Sequence, residues 1–310
     1  MRNLQPVRTT VSVPTPADFS FWRTALSHGW CTLVPFYLEQ DKRRLRRVLR
    51  TTGAPALVDI QESPDAQIGL TVHSHRPLRQ QDLTVIKAQL THMFRLDESL
   101  QAFYQVLART RGNGEFDWIP RVKAGRLLRS PSTFEDVAKM ICTTNCAWSA
   151  TQRMVENLAS KLGSRFSDTY SDFPTPQQLA GTTEKFLIEE VRAGYRSAYL
   201  LEFSENVAKG RVDFRSWENL TGEELYKQIL SIKGVGPYAA GNLLRLLGHY
   251  HHLALDSWCR PKYSEMYRQG RKVSDATIAR HYRKYGCWSG LVLWLDLTRD
   301  WFEEEKCTPS

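Results

Sequence analysis

Leu230-Ser-Ile-Lys-Gly-Val-Gly-Pro-Tyr-Ala-Ala-Gly-Asn-Leu-Leu-Arg-Leu-Leu-Gly248 is the stretch that decides the fold. Apolar residues at helical spacing on both sides of Lys233-Gly234-Val235-Gly236 predict two helices, at 222–232 and 237–247, joined by a tight turn. The glycines permit backbone angles that a side chain would forbid, and Pro237 suits the first turn of a helix. A helix entered this way presents free N–H groups at its positive end, which can hold a phosphate without reading sequence. Lys233 adds a cation at the same place. Gly-Val-Gly by itself fits an ordinary helix connection equally well.

The continuation carries more information. His249-Tyr-His-His-Leu253 leads into Ala254-Leu-Asp-Ser-Trp258, an acidic residue directly after an apolar run, about twenty positions beyond the hairpin. With these residues the chain resembles the helix-hairpin-helix (HhH-GPD) DNA glycosylase superfamily, nearest its 3-methyladenine glycosylase II and 8-oxoguanine glycosylase branch. Three further blocks match in order. They are Leu90-Thr-His-Met-Phe-Arg-Leu-Asp-Glu-Ser-Leu-Gln-Ala-Phe-Tyr104, the stretch from Gly125-Arg-Leu-Leu-Arg-Ser-Pro131 to Ile141-Cys-Thr-Thr-Asn145, and Gly194-Tyr-Arg-Ser-Ala-Tyr199. The resemblance implies a catalytic role for Asp256: an ionised carboxylate near C1′ stabilises the oxocarbenium-like charge that builds as an N-glycosidic bond breaks, and it orients the attacking water. The plainer role for an Asp at this place is to cap the following helix.

The same resemblance implies hairpin contacts to DNA from Lys233, Gly234, Val235 and Gly236, and a gap-filling role for Asn145 once a nucleotide has left the stack. The plain alternative for Asn145 is a cap ahead of Trp148. Tyr238, Trp148, Trp258 and Trp294 are expected to wall the base pocket, with Tyr195 a further candidate, since π faces attract cationic alkylated purines. Bifunctional relatives carry a lysine two residues after the second hairpin glycine, where an amine attacks C1′; here that position is Tyr238, so a monofunctional, water-using enzyme is expected. The position from which 8-oxoguanine enzymes read the opposite cytosine with an Arg appears as Ala150. An oxidised-purine glycosylase and a DNA-binding module without catalysis are the competing readings.

No cofactor is expected. The resemblance implies a monovalent cation at hairpin carbonyls, while Cys287 and Cys307 are too few near the C-terminus for an iron-sulfur cluster. His249, His251, His252 and Cys259 are of ligating type, but histidines in an exposed loop are ordinarily solvated and no metal is expected. Asp296 stands in the apolar run Val292-Leu-Trp-Leu-Asp-Leu297, to meet a base edge or to pair with Arg299.

The N-terminal third reads differently. Segments 9–13, 30–37, 56–60 and 68–72 are β-branched or aromatic and predict an antiparallel sheet. Asp41-Lys-Arg-Arg-Leu-Arg-Arg47 packs five cations into seven residues, as a solvated edge or a phosphate contact. From Leu83 the period becomes helical. The expected architecture is α+β: a β-rich domain over 1–104 on a two-lobed helical region over 105–310, with the hairpin at 222–248 and the aspartate loop at 249–259.

Across 310 residues, 42 Lys+Arg against 33 Asp+Glu leave a net charge of +9, which suits double-stranded DNA as partner. Hydrophobic residues make up 42% and charged residues 24%, which excludes disorder. No apolar run is long enough to span a membrane and no secretory h-region is apparent, so a monomeric, cytoplasmic protein with free thiols is expected.

Overall fold

The computed structural model describes residues 6–110 and 114–303. Strands β1 (Val7–Pro14), β2 (Phe36–Glu39), β3 (Arg44–Leu49), β4 (Ala56–Ser63) and β5 (Gln67–Ser74) form one antiparallel sheet in the order β1-β5-β4-β3-β2. Register follows the alternation of apolar residues, Leu45 opposite Ile60 and Ile60 opposite Leu70, all buried on one face. The helix Gln80–Phe94 buries Ile86, Leu90, Met93 and Phe94 in the same core.

The basic run at 41–47 is exposed only over its first three residues, Asp41 to Arg43. It is β3 with the turn before it. Arg44 and Arg46 pair with Glu39 and Asp59, and Arg47, 1% exposed, reaches Glu135 at 2.6 Å. The expected strand at 30–37 is largely a 3-10 turn over Gly29–Thr32, with pairing beginning only at Phe36.

Two large hydrophobic cores, beside a small cluster of Val48, Leu57 and Phe166, organise the chain. One contains the sheet together with the helices from Thr133–Thr143 to Pro237–Leu246. The other gathers Leu100 to Ala124 with Tyr250 to Phe302, including the helices Gln101–Arg109, Cys259–Arg268 and Ser289–Leu297. No helix among the described residues is long and apolar enough to cross a membrane.

Candidate active site

The aspartate loop is fixed by close backbone approaches. A Cβ on Gly241, in the second hairpin helix, would lie 2.8 Å from the Ala254 Cβ, and one on Gly290 would lie 2.0 Å from the His252 carbonyl oxygen. Gly290 N–H donates to the Tyr250 carbonyl at 2.7 Å. From the hairpin side, the fully buried Arg245 donates to the Leu253 carbonyl at 2.8 Å and to Asn242 Oδ1 at 3.1 Å, its guanidinium 5.3 Å from the Trp294 ring centre. The carbonyl of Leu246, ending the same helix, accepts from buried Arg95 at 2.9 Å and Arg129 at 2.5 Å, cations at the negative end of the helix dipole.

Asp256 makes the capping contacts that its place in the sequence allowed. Its Oδ1 accepts from the backbone N–H of Trp258 at 3.0 Å and of Cys259 at 2.6 Å, capping Cys259–Arg268. The cap uses one oxygen, and the carboxylate lines a cleft of about 630 Å³. Asn145, Trp148, Tyr238, Trp258 and Trp294 line it too, so the predicted base-pocket residues converge on one cavity. Sequence reasoning missed His28, Trp30, Arg245 and Trp301, which share the lining. Glycine at 29 was a usable signal: a Cβ there would lie 2.6 Å from the Trp148 ring.

Three indoles, Trp258, Trp294 and Trp301, pack with ring centres 5.4 to 6.0 Å apart. Trp294 Nε1 donates to the Ser27 carbonyl at 3.0 Å and Trp148 Nε1 to Thr32 Oγ1 at 3.2 Å, which fixes their ring planes. Burial first, then the Asp256 charge, raises the Tyr238 hydroxyl above the ordinary phenol value, and the same two causes in the same order raise the Cys259 thiol. Burial lowers the His28 imidazole to about 4, so His28 is neutral at pH 7; its Nε2 lies 2.7 Å from the Leu128 carbonyl.

Asn145 caps nothing. The helix Trp148–Leu162 has Ala147 at its N-cap, and Asn145 is exposed at a left-handed φ of 47°. Arg196 holds that loop, donating from Nε to the Thr144 carbonyl at 3.0 Å and from Nη2 to the Asn145 carbonyl at 3.2 Å. Tyr195 adds a bond from its hydroxyl to the Thr144 carbonyl and is no cleft wall. Four residues on from Tyr195, Tyr199 covers Gly234, where φ is +85° and a Cβ would sit 2.6 Å from the Tyr199 ring. The 194–199 block therefore ties the Asn145 loop to the hairpin.

The hairpin itself lies outside the cleft lining. Gly236 caps the helix Pro237–Leu246 with no side chain and open space around its Cα, leaving the first-turn N–H groups to an outside acceptor. Lys233 is 66% exposed and pairs with Glu202 at 2.8 Å. Val235 departs from expectation: its side chain is buried in the first core and its N–H donates to the Ile232 carbonyl, so it anchors the turn. The Ile232 and Gly236 carbonyls already accept within the fold, from the N–H groups of Val235 and Ala240. Asp296 is not in the cleft lining and does not pair with Arg299. Its Oδ2 accepts from Tyr267 and Tyr282, and Arg299 pairs with Glu303. Cys307 lies outside the described residues.

No family model matches the chain. The 3-methyladenine DNA glycosylase of Archaeoglobus fulgidus superposes with a TM-score of 0.73 at 17% identity, covering 94% of this chain and 99% of that one. The Clostridium acetobutylicum 8-oxoguanine glycosylase/lyase gives 0.70 at 19%, covering 96% and 99%. The chain has the fold of the helix-hairpin-helix DNA glycosylases, as the hairpin and the aspartate implied. In sequence it is similar to a Saccharomyces cerevisiae N-glycosylase/DNA lyase, 26% identical over 180 aligned residues that cover 50% of this chain and 44% of that protein. The match thus spans less than half of that curated relative's length.

Proposed function

We propose that this protein is a DNA glycosylase of base excision repair that flips a damaged, cationic alkylated base out of duplex DNA and hydrolyses its N-glycosidic bond with water. The observation that carries this is the convergence of one carboxylate, Asp256, with Trp148, Trp258, Trp294 and Trp301 around a single cleft that the hairpin helix enters at Tyr238. The two cores are read as two lobes meeting at that cleft. Neutral heterocycles gain only stacking from such walls, whereas 3-methyladenine or 7-methylguanine gains cation–π attraction as well, about 0.5–2 kcal/mol per face. As the glycosidic bond breaks, its electron pair goes to the base, which leaves neutral, and the positive charge passes to the sugar, where the Asp256 carboxylate stabilises it.

Around this chemistry, Lys233 exchanges Glu202 for a phosphate, and the free N–H groups after Gly236 take the same phosphate without reading sequence. Asn145, exposed on a loop clamped by Arg196, fills the gap that the flipped nucleotide leaves. Asn is among the few non-glycine residues that accept a left-handed conformation at low cost, which fits a side chain projected from so tight a turn. A monomer needing no cofactor and acting in the cytoplasm or nucleoid completes the reading.

Free-base release from duplexes holding 3-methyladenine, 7-methylguanine, hypoxanthine, uracil or 8-oxoguanine tests it. Release of the two methylated purines ahead of the others is expected; preferential release of 8-oxoguanine would overturn the lesion class. Among the described residues no lysine lines the cleft, and Tyr238 has no amine to form a Schiff base. Borohydride treatment during turnover is therefore expected to trap no covalent protein–DNA adduct, and a trapped adduct would refute the water-using mechanism.

The hairpin makes a separate prediction. Alanine at Gly234 must adopt φ near +85° and displace the Tyr199 ring, at a cost of about 1–3 kcal/mol. Gly234→Ala is expected to weaken duplex binding about tenfold, read by fluorescence anisotropy, with base release at saturating enzyme little changed. Unaltered affinity would remove the hairpin from the DNA interface.

A further inference from the structure

A cluster outside the cleft joins the hairpin to the aspartate loop. Glu223 stands in the first turn of the helix Gly222–Leu230, and His251 and His252 stand on the loop that ends at Asp256. The Nε2 atoms of His251 and His252 lie 3.2 and 3.5 Å from the same Glu223 oxygen, Oε1, and the three ligating atoms all fall within 4.8 Å of one another.

Both Nε2 atoms are buried and neither has a hydrogen-bond partner, so the short distances are not formed hydrogen bonds. A protonated histidine paired with a carboxylate would aim one N–H along a contact of about 2.7–2.9 Å. Here two nitrogens share one oxygen at similar, longer distances. Bonds of about 2.0–2.1 Å to a tetrahedral zinc put neighbouring ligand atoms about 3.4 Å apart, which both contacts match.

The surroundings hold the rings in this arrangement. A Cβ at Gly222 would lie 2.2 Å from His251 Cε1, so that ring fits only over a glycine. His252 stacks on Tyr226 with centroids 4.0 Å apart and planes 19° from parallel. Cys259, which sequence grouped with these histidines, lines the cleft instead, and Glu223 takes its place.

We propose that Glu223, His251 and His252 bind a divalent metal of the zinc class, with water as fourth ligand, clasping the first hairpin helix to the loop that carries Asp256. The site stands independently of the reaction proposed above.

The test uses the full chain without a polyhistidine tag, stripped with chelator and titrated with Zn²⁺ against a chromophoric competitor, then with Co²⁺. One equivalent of zinc and a tetrahedral Co²⁺ spectrum are expected. Glu223→Gln, at an exposed carboxylate, and His252→Gln are each expected to lower zinc affinity at least about 100-fold with unchanged circular dichroism. Zinc is also expected to slow amide exchange over 249–256 in the wild type and not in Glu223→Gln. Asp256→Asn, which leaves the three ligands intact, is expected to bind zinc as the wild type does. Absence of stoichiometric uptake, or wild-type affinity in both ligand variants, would overturn the proposal.

Discussion

Replacing Asp256 by Asn is expected to lower the single-turnover rate of base release by about 10³-fold, roughly 4 kcal/mol in the barrier, while duplex affinity and folding stability stay near the wild-type values. The substitution separates the capping contacts of this side chain from the catalytic role proposed for it. The cap needs only an acceptor at Oδ1 for the N–H groups of Trp258 and Cys259, and Asn supplies one about as well as Asp. The sugar cation needs the charge, which Asn lacks. Asp256→Ala would remove the cap as well, at a further cost of about 1 kcal/mol in stability. With enzyme in excess over a duplex containing 7-methylguanine, the rate of free-base appearance reads the chemical step. Wild-type rates in Asp256→Asn would leave Asp256 as a helix cap alone.

The parts of the site legible in sequence are those whose physics is local. A left-handed turn demands glycine, a helix starting after it accepts proline, and an Asp two or three residues ahead of a helix caps it; all of that is visible between Gly234 and Cys259. The fold class followed from the change of hydrophobic period near Leu83, where the helix Gln80–Phe94 begins. What was not legible depends on partners far along the chain. The 41–47 run looked exposed throughout because five cations in seven residues usually are, but Asp59 stands across the ladder from Arg46 and Glu135 is 88 residues from Arg47. Asp296 was paired in expectation with its neighbour Arg299, whereas burial sets it between Tyr267 and Tyr282. His28 and Trp301 reach the cleft from opposite ends of the chain, which no spacing rule anticipates.

Glu135 makes the largest stability prediction. This carboxylate, 3% exposed, accepts from Arg47 of β3 at 2.6 Å and meets Lys139, one turn on in its own helix, at 2.6 Å. Both cations are shut in, Arg47 over Phe36 at 4.1 Å and Lys139 between Phe36 and Phe173. Burial pulls the Lys139 ammonium down to about 8. Glu135→Gln keeps the shape and removes the charge that, among the described residues, pairs with both, so about 3–5 kcal/mol of stability is expected to be lost, the usual cost of stranding buried charge. Burial alone would raise the carboxyl, but the two cations outweigh it and hold Glu135 at about 2 against its ordinary 4.5. A depressed carboxyl stabilises fully above the unfolded value and loses that contribution as pH falls, so the window runs from about pH 4.5 down to 2. A shift of that size corresponds to about 3 kcal/mol, within the range expected for the substitution. Urea midpoints at pH 7 should therefore differ widely between wild type and Glu135→Gln, with similar slopes, and should converge as pH falls, because protonated Glu135 is the neutral isostere of Gln. Stabilities within about 1 kcal/mol at pH 7 would mean that the triad contributes no more than an apolar trio would, as some buried ion pairs do. Convergence is the sharper test, because loss of packing volume would give a gap that pH does not close.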